Sequence, residues 1–145
     1  QNAAGQIVVW YMNDSGGFSG AGWLYTGSLP DWKIVGVADL NGDGNADLVF
    51  ENSAGQISVW FLDQAGGFMS WGTIYAGALG DWKVTSVADM NGDGNADLVF
   101  QNSIGQIAVW YLDGSGTAVD FLGGTGIKPG SRVIYSGGMG DWRLK

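Results

Sequence analysis

The 145-residue chain contains no cysteine and no histidine, only two prolines, six basic residues and a single glutamate. Each shortage removes a class of chemistry. Without cysteine there are no disulfides and no thiolate nucleophile; without histidine there is no imidazole-based triad and no ordinary zinc site. Six scattered bases against fourteen acids give a formal charge of -8, which leaves no basic face for nucleic acid or an anionic membrane surface. No apolar run approaches the roughly 20 residues of a membrane-spanning helix, so no membrane insertion through one is expected. Helical patterning is nearly absent as well. Apolar residues alternate instead of recurring every three or four positions, and 27 residues are glycine.

What is present is aspartate, tryptophan and repetition. Apolar residues make up 46% of the chain, enough for a core, and the length suggests one domain. Asp31 to Gly80 aligns without a gap onto the chain from Asp81. NGDGNADLVF stands at 41–50 and again at 91–100, and GQIVVWYM (5–12), GQISVWFL (55–62) and GQIAVWYL (105–112) are three copies of one strand. Asp31-Trp32, Asp81-Trp82 and Asp141-Trp142 recur, and Tyr25, Tyr75 and Tyr135 keep one phase. The third repeat is lengthened by an insertion at 114–131.

Each unit reads as four short strands separated by Gly-rich or Asn/Ser-Gly turns. The first is Trp32 to Ala38 (82–88 in the copy), the second 46–50 (96–100), the third the GQIxVW strand. The fourth is weaker: Trp23 to Thr26, Thr73 to Ala76, Val133 to Ser136. The third strand is apolar on both faces, which calls for a sheet sandwiched between other sheets. A four-stranded antiparallel unit of this length, repeated in tandem, predicts an all-β fold of β-propeller blades; a β-sandwich does not explain the kept register. The boundaries are a partial repeat near 1–30, whole repeats at 31–80 and 81–140, and the start of another at 141–145. Two whole blades with partial blades at both ends do not close a ring. That predicts a segment of a longer protein, or a short chain that assembles with copies of itself.

The chemistry concentrates in Asp39-Leu-Asn41-Gly-Asp43-Gly-Asn45-Ala-Asp47 and its copy Asp89 to Asp97. Carboxylates packed this densely repel, and a hard cation removes that cost. Ca²⁺ takes about 6–8 oxygens in a tolerant geometry. The expected donors are Asp39, Asn41, Asp43 and Asp47 through side chains and Asn45 through its carbonyl. Asp89, Asn91, Asp93, Asn95 and Asp97 repeat them, making two Ca²⁺ sites. An EF-hand places its closing Glu at position 12 between helices; here position 12 is Phe50 or Phe100 in a strand. The metal-free alternative is an Asx-rich hairpin turn.

These loops, with VADxNGDGNADLVFxN followed by GQIxVWxL, resemble the FG-GAP repeat of integrin-α propellers, and most closely the bacterial FG-GAP-like or VCBS-type repeats. The resemblance implies a calcium-stabilised propeller on a secreted or cell-surface protein. Neither the Phe-Gly nor the Gly-Ala-Pro element of the family name is present, which loosens any link to integrin-type ligand binding.

No active site is expected. Glu51 is the best lone acid, but Gln1 and Gln101 hold its position in the repeats, so it reads as an exposed polar residue. The Asp-Trp pairs read as turn caps and inter-blade packing, and serines have no base to activate them. Binding is the stronger class. Trp23 and Trp71 break the repeat, where Thr73 and Ala21 are their counterparts, and either suits stacking on a sugar ring. The insertion, with Lys128 and the neighbouring Arg132, is a candidate recognition loop, and Asn13-Asp14-Ser15 matches a glycosylation sequon. The expected function is a non-catalytic extracellular module for glycan or surface-protein recognition. The alternatives are an accessory region of a secreted hydrolase or lyase, or a unit of a self-assembling extracellular filament.

Overall fold

The computed structural model describes residues 1–112 and the backbone of 132–135. It is all-β, with three antiparallel sheets and no helix among the described residues. The first sheet holds two strands, β1 (Ile7–Met12) and β2 (Phe18–Tyr25). The second holds β3 (Trp32–Ala38), β4 (Asp47–Asn52), β5 (Ile57–Leu62) and β6 (Phe68–Tyr75), paired in chain order. The third repeats that meander with β7 (Lys83–Ala88), β8 (Asp97–Gln101), β9 (Ile107–Trp110) and β10 (Arg132–Tyr135). The registers repeat with the sequence: Leu48 pairs with Trp60 and Leu98 with Trp110.

The turns explain the hairpins. Asn52 Oδ1 accepts from the Gln56 N–H at 2.9 Å, and Asn102 Oδ1 does the same for Gln106 at 2.8 Å. These Asx turns close the connection from second to third strand. Asp63 closes the next one by accepting from Ala65 and Gly67. The fourth strands β2 and β6 start at Phe18 and Phe68, five residues ahead of the alternating stretches at Trp23 and Thr73. Their early residues lie on the outer edge, largely exposed on both faces, so hydrophobic alternation carries no signal there.

Both faces of the second sheet are covered. One face packs Val49, Ile57, Val59 and Ile74 against Leu98, Phe100, Ala108 and Trp110 of the third. The other carries Phe50, Leu62 and Trp60 against Ile7, Leu24 and Tyr25 of the first. A matching aromatic pair locks each junction. Tyr25 meets Trp60 edge to face at 5.2 Å and 76°, and Tyr75 meets Trp110 at 5.2 Å and 74°. The shared phase of the tyrosines thus comes from sheet stacking, and each pair adds about 0.5–1.5 kcal/mol beyond its buried area. β3 packs on β7, and Gly36 permits that approach, because a Cβ at this position would collide with Val87.

The insertion at 114–131, Asp141-Trp142 and the side chains of Arg132 and Tyr135 lie outside the described residues. The three equivalent tryptophans differ in burial: Trp110 is 2% exposed, Trp60 partly buried, and Trp10 67% exposed. Trp110→Ala should therefore lower unfolding free energy by about 3–5 kcal/mol. Trp10→Ala should change it by less than about 0.5 kcal/mol. Urea denaturation of both variants against the parent chain measures the difference.

Candidate metal-binding loops

The two aspartate loops connect the first strand of a sheet to the second, 39–46 between β3 and β4 and 89–96 between β7 and β8. The first aspartate organises each loop. Asp39 Oδ1 accepts from the Gly42 N–H at 2.7 Å, and Oδ2 from the Gly44 N–H at 2.8 Å. Asn41 Oδ1 accepts from Asp43 N–H, and Asp43 Oδ1 from Asn45 N–H, so the backbone curls around its own side chains. Asn41 Nδ2 donates to Asp43 Oδ2 at 3.0 Å. Gly44 stands at φ +83° and Gly94 at +88°, a left-handed conformation that side chains with a Cβ resist. The second loop reproduces these bonds: Asp89 accepts from Gly92 and Gly94, and Asp93 from Asn95.

The last aspartate of each loop has a different position. Asp47 and Asp97 are fully buried at 0% exposure. Asp47 Oδ2 accepts from Leu40 N–H at 3.0 Å and Oδ1 from Leu62 N–H at 3.1 Å. One carboxylate thereby joins the exit of the first strand, the start of the second and the end of the third. Asp97 does the same with Met90 and Leu112, at 2.9 and 3.0 Å.

Burial raises the Asp47 and Asp97 carboxyls above the usual aspartate value; the backbone donors oppose it, and the two neighbouring loop aspartates add to it. Asp89 is held below its usual value, chiefly by the Gly94 and Gly92 N–H groups.

The donor chemistry suits Ca²⁺. Every side-chain acceptor in the loop is a hard oxygen, and Asp43 and Asp39 both act on Asp47 as like charges. The ring of coordination is not drawn together, however: the oxygens are bonded to the loop's own N–H groups. Among the described residues no three acidic side chains are gathered closely enough to hold an ion.

Other expected residues fall in different places. Trp23 sits opposite Val8 on β2, and Trp71 opposite Trp60 on β6. They are 64% and 66% exposed and belong to different sheets, so the structure does not bring them into one pocket. Asp31 and Asp81 accept from the backbone of Ser53 and Ser103, and Ser103 Oγ donates to Asp81 at 2.6 Å. They tie the start of a sheet to its second hairpin, while Trp32 and Trp82 pack into the junctions. Asn13 Oδ1 accepts from Ser15 and Gly17, the turn role that Asp63 fills in the next repeat.

Glu51 corrects the sequence reading. It is buried, not exposed: Oε2 accepts from Val84 N–H at 3.0 Å and Oε1 from Lys83 Nζ at 2.8 Å. Gln1 makes the equivalent bridge one sheet earlier, accepting from Ile34 N–H and donating to the Trp32 carbonyl. A glutamate cannot donate; here Lys83, whose counterpart Lys33 stands beside Gln1, donates to it instead. Alternation marks which residues share a face, but not that the strand end lies under the next sheet.

The two kinds of aspartate should separate in chelator. In excess EDTA, Asp47→Ala leaves two N–H groups without their acceptor and should cost about 3 kcal/mol. Asp43→Ala, on the exposed loop, should cost less than about 1 kcal/mol under the same conditions. Urea unfolding in excess EDTA checks both.

Comparison with known proteins gives one family. Residues 39–100 match the FG-GAP-like repeat. No curated protein and no solved structure matches the chain. The match opens on Asp39, runs through the second aspartate loop and closes at Phe100, so the segment that holds both loops is an FG-GAP-like repeat.

Proposed function

We propose that the chain is a calcium-stabilised segment of a β-propeller that serves as a non-catalytic, extracellular recognition module. The observation that carries this reading is the pair of loops in which three aspartates sit on one short turn, the last of them buried and raised in pKa partly by the other two. Asp39, Asn41, Asp43, Asn45 and Asp47 hold one Ca²⁺; Asp89, Asn91, Asp93, Asn95 and Asp97 hold the other. When bound, the ion supplies positive charge that offsets the repulsion and ties the turn between first and second strands. The propeller reading is supported by a four-stranded sheet covered on both faces and by the repeated Tyr–Trp contact that joins successive sheets. The repeats at 31–80 and 81–140 are its blades.

The lack of a catalytic role is supported by Glu51, whose two oxygens are engaged by Lys83 and the backbone. Recognition of a glycan or a surface protein is supported by Trp23 and Trp71, which present indole faces to solvent on the outer strands. A secreted or cell-surface location follows from the calcium reading, since millimolar calcium is available there to weak sites.

Calcium should raise the melting temperature and EDTA should lower it, because a ligand that binds only the folded state stabilises that state. In Asp43→Ala with Asp93→Ala the calcium response should vanish; a chelator-insensitive parent chain overturns the metal sites. For recognition, a glycan array with and without chelator should show binding that Trp23→Ala or Trp71→Ala weakens. Silence on every glycan removes the carbohydrate reading.

A further inference from the structure

Three of the chain's six bases share one place in the repeat: Lys33, Lys83 and Arg143 each follow an Asp-Trp pair. In a chain with a formal charge of -8, a base kept at one phase asks for a physical reason. Two of the three lie on described strands. Lys33 stands near the start of β3 and Lys83 opens β7, and each of these strands runs into an aspartate loop. Six residues of extended chain separate Lys33 from Asp39, about 20 Å. Each first strand therefore carries its base at one end and its aspartate loop at the other.

β3 packs on β7, and the two lysines line one cavity of about 370 Å³ together with Asp31, Glu51, Ser53 and Val84. In register Lys33 is the partner of Glu51, directly across the β3–β4 pair. That position gives it no ion pair. Glu51 turns instead to the next sheet, where Lys83 Nζ and the Val84 N–H take its two oxygens. The Lys83–Glu51 bridge is the one ion pair among the described residues, so Lys33 remains a cation without a partner there. Ser53 is in the same condition. Its counterpart Ser103 donates through Oγ to Asp81 at 2.6 Å, whereas Ser53 Oγ donates to no described residue. Only the Ser53 N–H reaches Asp31, at Oδ1 and 3.4 Å, which leaves Oδ2 open. The cavity thus presents unused donors on Lys33 and Ser53, while its buried acid is already satisfied.

We propose that this cavity between the second and third sheets is a subsite for a carboxylate-bearing sugar, a uronic acid residue of a glycan. Its carboxylate pairs with Lys33 Nζ and accepts from Ser53 Oγ, and a ring hydroxyl donates to Asp31 Oδ2. The volume lies near the small end of the roughly 300–1,000 Å³ typical of small-molecule sites, which suits one sugar residue. Charge makes the same selection. A polyanion is repelled by a molecule of net charge -8. A single carboxylate gains a charge-assisted hydrogen bond from the nearby ammonium, while charges beyond about 8 Å are largely screened at physiological salt. The subsite rests on the recognition reading for its ligand being a glycan, but it uses neither the exposed tryptophans nor calcium.

The test is a calorimetric titration of the full 145-residue chain with D-glucuronate, in calcium-free buffer at physiological salt. Glucuronate should bind saturably and one to one. Its methyl ester, which lacks the charge, should bind about tenfold more weakly or worse, the loss of one charge-assisted hydrogen bond. Lys33→Gln should bring the same loss for the acid, and Ser53→Ala a smaller one. Lys33 has no partner in the fold, so Lys33→Gln should leave the melting temperature unchanged, and the comparison is between folded chains. Trp23→Ala with Trp71→Ala should leave glucuronate binding unchanged, so the outer-strand reading can fail without this one. Absence of saturable binding, equal binding of acid and ester, or a Lys33→Gln chain that binds like the parent overturns the proposal. Loss of binding in the tryptophan variant overturns it too, by placing the sugar elsewhere. So does tighter binding of acetyl-alanyl-alanine than of glucuronate, which would assign the cavity to a protein C-terminus.

Discussion

A buried carboxylate that must find hydrogen-bond donors is the constraint around which each repeat is arranged. Asp47 has no exposed surface, and desolvating its charge is costly unless both oxygens are satisfied. The donors are Leu40 N–H at the exit of one strand and Leu62 N–H at the end of another. Three strands therefore meet in one arrangement, and the loop between the first two is pinned at both ends. Asp97 enforces the same solution fifty residues later. The aspartates nearer the surface are free to attend to the loop's own backbone because this one holds the frame.

The second constraint is that the sheets are apolar on both faces. A sheet of this kind is stable only between neighbours, and the molecule stacks three through a repeated Tyr–Trp contact and a Gln or Glu bridge. At the second junction the bridging residue is glutamate, and Lys83 donates to it. Exposure rises along the stack, from Trp110 to Trp60 to Trp10. One sequence motif thus occupies three environments.

Much of this was legible beforehand. The repeat, the four-strand unit, the loop boundaries and the position of the third strand follow from identity at a fixed spacing and from alternation. The fourth strand was legible only in its second half, because its first residues lie on an outer edge where neither face is consistently buried. Glu51 was misread as exposed for a related reason: its burial comes from the next sheet, through Lys83 and Val84, 32 and 33 residues further along the chain. Within the loops, the spacing marked which residues carry oxygens. It did not mark that Asp47 spends both of its oxygens on backbone donors.

The sequence by itself determined the local elements: strands from alternating apolar residues, turns from Asn, Asp and Gly, and two loops dense in hard oxygen donors. These depend on neighbours a few residues apart or on exact repetition. The tertiary structure alone decided which copies of the repeated residues are buried and which aspartate faces the core. Burial is set by what the next sheet places opposite a residue, and a repeated sequence writes the same letters whether or not that next sheet is there.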